Sequence, residues 1–89
     1  MYRILICDDD PDIVSALEIY LGSEGYETVA AYNGKEALNI AAKQEVHLIL
    51  MDVMMPELDG MRATSKLREG SNVPIILLTA KSEDSDKIL

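Results

Sequence analysis

The sequence contains no tryptophan and no phenylalanine; its only aromatic side chains besides one histidine are four tyrosines. Any core it forms is therefore aliphatic. A single cysteine excludes an intramolecular disulfide. Lys and Arg number 8 against 16 Asp and Glu, giving a net charge of −8 and a pI near 4.4. That shortage of positive charge argues against a nucleic-acid surface, which concentrates Lys and Arg on one face. No apolar run approaches the roughly 20 residues of a membrane span. The opening Met1-Tyr2-Arg3-Ile4 lacks the profile of a signal peptide. A cytoplasmic chain is expected, with no membrane contact and no direct nucleic-acid binding.

What remains is a chain of 89 residues, 48% hydrophobic and 27% charged. It is too apolar for a disordered tail and too short for two ordinary domains. A chain of this size buries roughly 60–65% of the surface it exposes when unfolded, enough for one modest core. A single domain over residues 1–89 is expected.

Short aliphatic runs alternate with helical periodicity. The run Ile4-Leu5-Ile6-Cys7 stops at Asp8, Asp9 and Asp10. From Pro11 the period changes: Ile13, Val14, Leu17, Tyr20 and Leu21 fall on one helical face, with Asp10 as N-cap, Pro11 at the first helical position, and Gly22 and Gly25 at the end. Residues 28–31 read as a second strand. Asn33, three residues before Glu36, opens a helix whose apolar face is Ala37, Leu38, Ala41 and Ala42. Residues 46–51 read as a strand covered on both faces, 61–68 as a short helix, 73–78 as a fourth strand with Pro74 at its start, and 82–89 as the opening of another helix. The order β-α-β-α-β-α-β-α predicts an α/β fold with a doubly wound parallel sheet.

Asp8, Asp9 and Asp52 all fall at the carboxyl ends of expected strands. Ligands of open parallel sheets bind outside those ends, where strand order reverses. Two carboxylates ~5 Å apart repel by about 3 kcal/mol at an effective dielectric of 20. A divalent cation removes that repulsion, and hard oxygen ligands with water suit Mg²⁺. An Asp beside Mg²⁺ is also a nucleophile toward phosphorus, and Thr79 ends the fourth strand with a hydroxyl in reach of a phosphoryl oxygen. Each residue alone has a plainer reading. Asp8 to Asp10 complement a helix N-terminus, Asp52 caps a loop, and Thr79 caps a helix. The agreement of three strand endings favours the metal and phosphoryl reading. His47 and Cys7 read as structural residues, and Met54 with Met55 lacks the Cys or His that a soft metal would need.

On these residues the chain resembles the receiver domain of two-component response regulators. The resemblance is carried by Ile4-Leu5-Ile6-Cys7-Asp8-Asp9-Asp10-Pro11-Asp12, by Tyr32-Asn33-Gly34-Lys35-Glu36-Ala37-Leu38, by the block from Leu48 through Asp52 to Met54-Met55-Pro56-Glu57-Leu58-Asp59-Gly60, and by Pro74-Ile75-Ile76-Leu77-Leu78-Thr79-Ala80. It covers the whole chain and is closest in style to regulators that carry a winged-helix DNA-binding domain. It implies a flavodoxin-like sheet of order 2-1-3-4-5. It also implies Asp52 as phosphoacceptor, and Mg²⁺ held by Asp9, Asp52 and the Met54 carbonyl, with Asp8 assisting mainly through water. Thr79 would bond the phosphoryl group and move on activation. Ala80 would leave access to the phosphoryl group, the Met54 and Lys81 side chains would tune its lifetime, and Pro56 and Gly60 would shape the adjoining loop. The implied partners are a sensor histidine kinase and a downstream effector domain, DNA-binding and outside this chain.

The family's fifth-strand Lys and aromatic switch residue have no counterpart after Lys87. The chain is accordingly read as truncated before the fifth strand and helix, leaving order 2-1-3-4. Weak Mg²⁺ binding, impaired phosphotransfer and self-association through bared apolar surface are expected. Two other functions fit parts of the pattern. A Mg²⁺-dependent aspartyl-phosphate phosphatase would use the Asp8-x-Asp10 pair, but it needs a longer chain with a substrate pocket, so no enzyme is expected. A phosphorylation-independent interaction fragment would have no need to retain the acidic positions together with Thr79.

Overall fold

The computed structural model describes residues 2–53 and 60–78. Seven elements follow one another: β1 (Arg3–Cys7), α1 (Pro11–Ser23), β2 (Glu27–Ala31), α2 (Gly34–Lys43), β3 (Leu48–Asp52), α3 (Gly60–Arg68) and β4 (Ile75–Leu78). The four strands form one sheet of order β2-β1-β3-β4, parallel throughout. The expected order of the first four strands is thus observed. The helix expected over 82–89 lies outside the described residues.

Local chemistry starts the helices. Asp10 is extended, and its carboxylate accepts the Asp12 N–H at 2.9 Å, with Pro11 at the first helical position. Beyond α1 the chain turns at Gly25, whose φ of +94° favours glycine. Asn33 caps α2 by accepting the Glu36 N–H at 2.9 Å. The returning bond of the capping box goes one residue further back than the motif requires: the Glu36 carboxylate accepts the Tyr32 N–H at 2.7 Å.

Side chains alternate across β1. Leu5 and Cys7 join Ala31, Ile49 and Met51 in a core against Ala37 of α2 and Ala63 and Leu67 of α3. Ile4 and Ile6 point the other way, against Val14 of α1, with Leu17, Leu21, Leu48 and Leu50 partly buried around them. Each fully buried Leu or Ile contributes about 1.5–3 kcal/mol, and each face holds two of them, Leu5 and Ile49 on the first and Ile4 and Ile6 on the second.

Several expectations are corrected. Tyr20 is 62% exposed, because among the described residues only one turn of α1, at Val14, is fully buried. Ala42 is exposed and Ile40 packs on the core in its place: Ala37, Ile40 and Ala41, at spacings of three and four, share the inward face of α2. Coverage of β3 is unequal, complete at Ile49 and Met51 and partial at Leu48 and Leu50. Strand β3 starts at Leu48, after His47. Strand β4 starts at Ile75; Pro74 has no N–H to give, but its carbonyl accepts the Ile49 N–H at 3.0 Å and so opens the pairing. No described helix is long and apolar enough to cross a membrane.

Candidate acidic cleft at the sheet's switch point

From β1 the chain passes to β2 on one side and, through α2, to β3 on the other. The crevice outside the carboxyl ends of β1 and β3 is therefore the place where this sheet offers a ligand site. Register puts Cys7 opposite Met51, so Asp8 and Asp52 are next in line on adjacent strands. One carboxylate oxygen from each of Asp8, Asp9 and Asp52 lies within 4.8 Å of the other two. Asp8 and Asp52 are buried, at 5% and 3% exposure, and Asp9 is exposed.

The scaffold holds these groups by its main chain. The Asp8 N–H donates to the Ala31 carbonyl at 3.1 Å, and the Asp8 carboxylate accepts the Asp10 N–H at 3.0 Å. Behind Asp52, the Val53 N–H donates to the Leu78 carbonyl at 3.2 Å, fixing the strand end against β4. Gly60 opens α3 directly against the Asp52 main chain. Asp10 is occupied as the α1 cap and does not join the cluster, so the Asp8-x-Asp10 pair of the phosphatase reading is not assembled.

Electrostatics are those of an anion-crowded cleft. Burial pushes the Asp8 carboxyl from 3.8 up to about 6; the bond from Asp10 opposes the rise, and the negative charges of Asp52 and Asp9 add to it. Cys7, one residue back, is pushed up to about 12, first by burial and then by Asp8, Asp52, Glu36 and Asp9. Its Sγ–H donates to the Asn33 carbonyl at 3.4 Å, so it is a protonated packing residue and offers no thiolate.

Oxygen donors alone, two of them buried and one open to solvent, fit a small hard cation that keeps several waters; Mg²⁺ meets that description. Of the residues singled out in the sequence, Asp8, Asp9, Asp52 and Gly60 are brought together here. Met54, Pro56, Thr79, Ala80 and Lys81 lie outside the described residues. The bonds that hold the cleft through Ala31, Leu78 and Val53 are main-chain bonds, which no side-chain pattern announces.

Fold and cleft together define a doubly wound, flavodoxin-like α/β domain with three carboxylates gathered at its switch point. The chain belongs to the response regulator receiver domain family, whose profile matches residues 4–88. It is 43% identical over 86 residues to response regulator GtcR of Aneurinibacillus migulanus and 44% identical over 86 residues to transcriptional regulatory protein SrrA of Staphylococcus aureus. Each match takes in 97% of this chain and 36% of the relative, so the chain spans about a third of their length. Among solved structures, response regulator TrrA of Thermotoga maritima in complex with Mg²⁺-BeF superposes with a TM-score of 0.86 at 40% identity, over 92% of this chain and 72% of that one. A crystal structure of histidine kinase ThkA in complex with TrrA matches with a TM-score of 0.86 at 38% identity, over 98% of this chain and 76% of that one.

Proposed function

We propose that the chain is the phosphoacceptor module of a transcriptional response regulator, with Asp52 taking a phosphoryl group from a phosphohistidine of a sensor histidine kinase. The observation that carries this reading is the convergence of Asp8, Asp9 and Asp52 within 4.8 Å at the switch point of the sheet. A carboxylate oxygen of Asp52 forms the new O–P bond as the P–N bond to the donor imidazole breaks. The electron pair of that bond returns to the imidazole nitrogen, which takes up a proton. Asp52 can act this way because burial and its strand-end position hold it still, while exposed Asp9 marks the open side of the cleft.

Asp8, Asp9 and Asp52, with the Met54 carbonyl, are the groups assigned to hold Mg²⁺. Bound there, Mg²⁺ would offset the phosphoryl charge that three carboxylates otherwise repel. Asp8 keeps its place through the Asp10 N–H. Thr79 is assigned to the phosphoryl oxygens, Ala80 to access, Met54 and Lys81 to the approach of water, and Pro56 with Gly60 to the shape of the loop between Asp52 and α3. The module stores a covalent signal and does not turn over a substrate; its product is its own phosphorylated state.

The partners follow from the relatives. TrrA is seen with a histidine kinase, and SrrA is called a transcriptional regulatory protein. We assign this chain a cytoplasmic location, a sensor histidine kinase as donor and a DNA-binding effector domain as output.

Intact mass decides the assignment. The chain is incubated with Mg²⁺ and a small phosphodonor, beside Asp52→Ala and beside a sample in chelator. The expected result is a slow gain of one phosphoryl group in the unmodified chain with Mg²⁺ and in neither control. A folded chain that gains nothing, or an Asp52→Ala variant that gains as much, overturns it.

A further inference from the structure

Far from the acidic cleft, at the amino ends of the strands, His47 closes β1 against β3. Its N–H donates to the Arg3 carbonyl at 2.8 Å, and its ring Nδ1 accepts the Arg3 N–H at 3.0 Å. The two residues thus share two hydrogen bonds, one through main chain only and one through the imidazole. The Tyr2 ring lies over the imidazole, with centroids 5.1 Å apart and planes 21° apart, and Tyr26 packs on Tyr2 in turn at 5.6 Å. An imidazole whose Nδ1 accepts a hydrogen bond is neutral and carries its proton on Nε2.

A second proton can go only to Nδ1. There it would meet the Arg3 N–H, donor against donor. A partly buried N–H that loses its acceptor keeps the full desolvation penalty, so bond and proton exclude each other. We propose that His47 is an acid-released clasp: the neutral imidazole ties the amino end of β1 to β3, and its protonation frees the Arg3 N–H.

The surrounding charges bear this out by position. From β1, the Arg3 guanidinium is turned to Glu27 of β2 at 2.7 Å and to the Glu45 carbonyl at 3.1 Å. Glu27 is thereby neutralised. Glu45 approaches the imidazole Nε2 at 3.7 Å, but its side chain is 82% exposed and solvent screens it. Tyr2 and Tyr26 contribute their aromatic rings to this corner. Residues 71–74, which border the same hollow from the segment before β4, carry no charge. The release is local: the pairing from Ile4–Leu48 to Cys7–Met51 does not depend on the ring. Release therefore frays the amino end of the pairing, while Asp8, Asp9 and Asp52 lie at the other end of the same two strands.

Nuclear magnetic resonance of the full chain tests this directly. Long-range ¹⁵N spectra of the imidazole are recorded between about pH 8 and 5.5, the interval in which histidine changes charge, with the Arg3 amide followed in the same samples. The Asp10 amide, which reports Asp8 separately, is followed alongside. The expected result is the Nε2–H tautomer at the upper pH, then an Arg3 amide that shifts with the imidazole and loses about tenfold in exchange protection. His47→Asn keeps an acceptor that cannot titrate, and its Arg3 amide is expected to stay unchanged. A proton on Nδ1 at the upper pH, an Arg3 amide indifferent to the imidazole, or the same titration in His47→Asn overturns the clasp. If His47→Asn does not fold, the tautomer and the Arg3 titration of the unmodified chain decide it alone.

Discussion

Gly60 lies against the main chain of Asp52 so closely that a methyl group on it would stand 2.7 Å from the Val53 Cα and 2.8 Å from the Asp52 carbonyl carbon, with the Asp52 carbonyl oxygen nearer still. The Gly60 N–H donates to the Val53 carbonyl at 3.3 Å, so α3 begins in direct contact with the strand end that bears the buried carboxylate. Two effects oppose each other in Gly60→Ala. Alanine gains about 1 kcal/mol of helix propensity. Overpacking costs about 1–3 kcal/mol, and here the obstructing atoms belong to the main chain and cannot swing away as a side chain would. The steric effect is expected to win, lowering the thermal midpoint by several degrees, since each kcal/mol is worth roughly 4–8 °C in a domain of this size. Mg²⁺ affinity is expected to fall with it, because Asp52 must shift. A thermal melt and a Mg²⁺ titration check both; an unchanged midpoint would show that the space exists.

Asp8 makes stability depend on pH in an unusual direction. Its carboxyl is pushed up from 3.8 to about 6 in the folded chain, so between those values the folded state holds a proton that the unfolded state has released. Stability then falls as pH rises through this window. The loss is about 1–3 kcal/mol, reduced to the extent that water enters the open cleft. Without divalent cation, Asp8→Asn is expected to be more stable than the unmodified chain at about pH 7.5 and equal to it at about pH 4, since an amide oxygen still accepts the Asp10 N–H. Urea midpoints at the two pH values test this. Equal midpoints at the higher pH would contradict it. Adding Mg²⁺ is expected to reverse the order, by stabilising only the chain that retains the carboxylate.

Much of this architecture is legible in the sequence. The alternation of strands and helices, and the placing of Asp8, Asp9 and Asp52 at strand ends, follow from alternating periods and from carboxylates that close aliphatic runs; the strand order, and with it the meeting of Asp8 with Asp52, rests on the resemblance to receiver domains. Caps at Asp10 and Asn33 follow from local chemistry and are found where expected. Helix phase is less legible. Ile40 lies on the core and Ala42 does not, although α2 begins where its cap predicts: neighbouring residues differ by about 100° around a helix, and the centre of a broad apolar face is not fixed by the pattern alone. The exposure of Tyr20 depends on what packs beside α1, which periodicity does not encode. Least legible is His47: an isolated histidine beside an apolar run says nothing of an Arg3 N–H located 44 residues earlier in the chain.

Helix α2 offers a test of how far local capping matters. The Asn33 side chain accepts the Glu36 N–H at 2.9 Å, and Asn33→Ala removes that bond at a cost of about 1 kcal/mol. Asn33→Asp keeps the acceptor and is expected to cost little. By contrast, Glu27→Gln breaks the Arg3–Glu27 pair, where both side chains are substantially exposed, and is expected to cost less than about 1 kcal/mol. Chemical denaturation should show Asn33→Ala as the costliest of the three variants. A larger loss in Glu27→Gln would mean that the Arg3 side chain, which also bonds the Glu45 carbonyl, staples the strand starts more tightly than an exposed pair does.

Cys7 supplies a probe of the cleft that needs no added label. Its thiol is buried, donates to the Asn33 carbonyl at 3.4 Å, and is pushed up to about 12. At about pH 8 its thiolate fraction is therefore roughly a thousandfold below that of an ordinary thiol near pKa 9, so reaction with a disulfide reagent must await local or global opening. Labelling then measures the population of the opened state. Mg²⁺ bound by Asp8, Asp9 and Asp52 stabilises the closed state by mass action, and the labelling rate is expected to drop about tenfold when free cation reaches ten times its dissociation constant. The same titration in Asp52→Ala is expected to be flat. Rapid labelling of the folded chain would show that Cys7 is accessible. A rate that ignores Mg²⁺ while the chain remains folded would detach the carboxylate cluster from cation binding altogether.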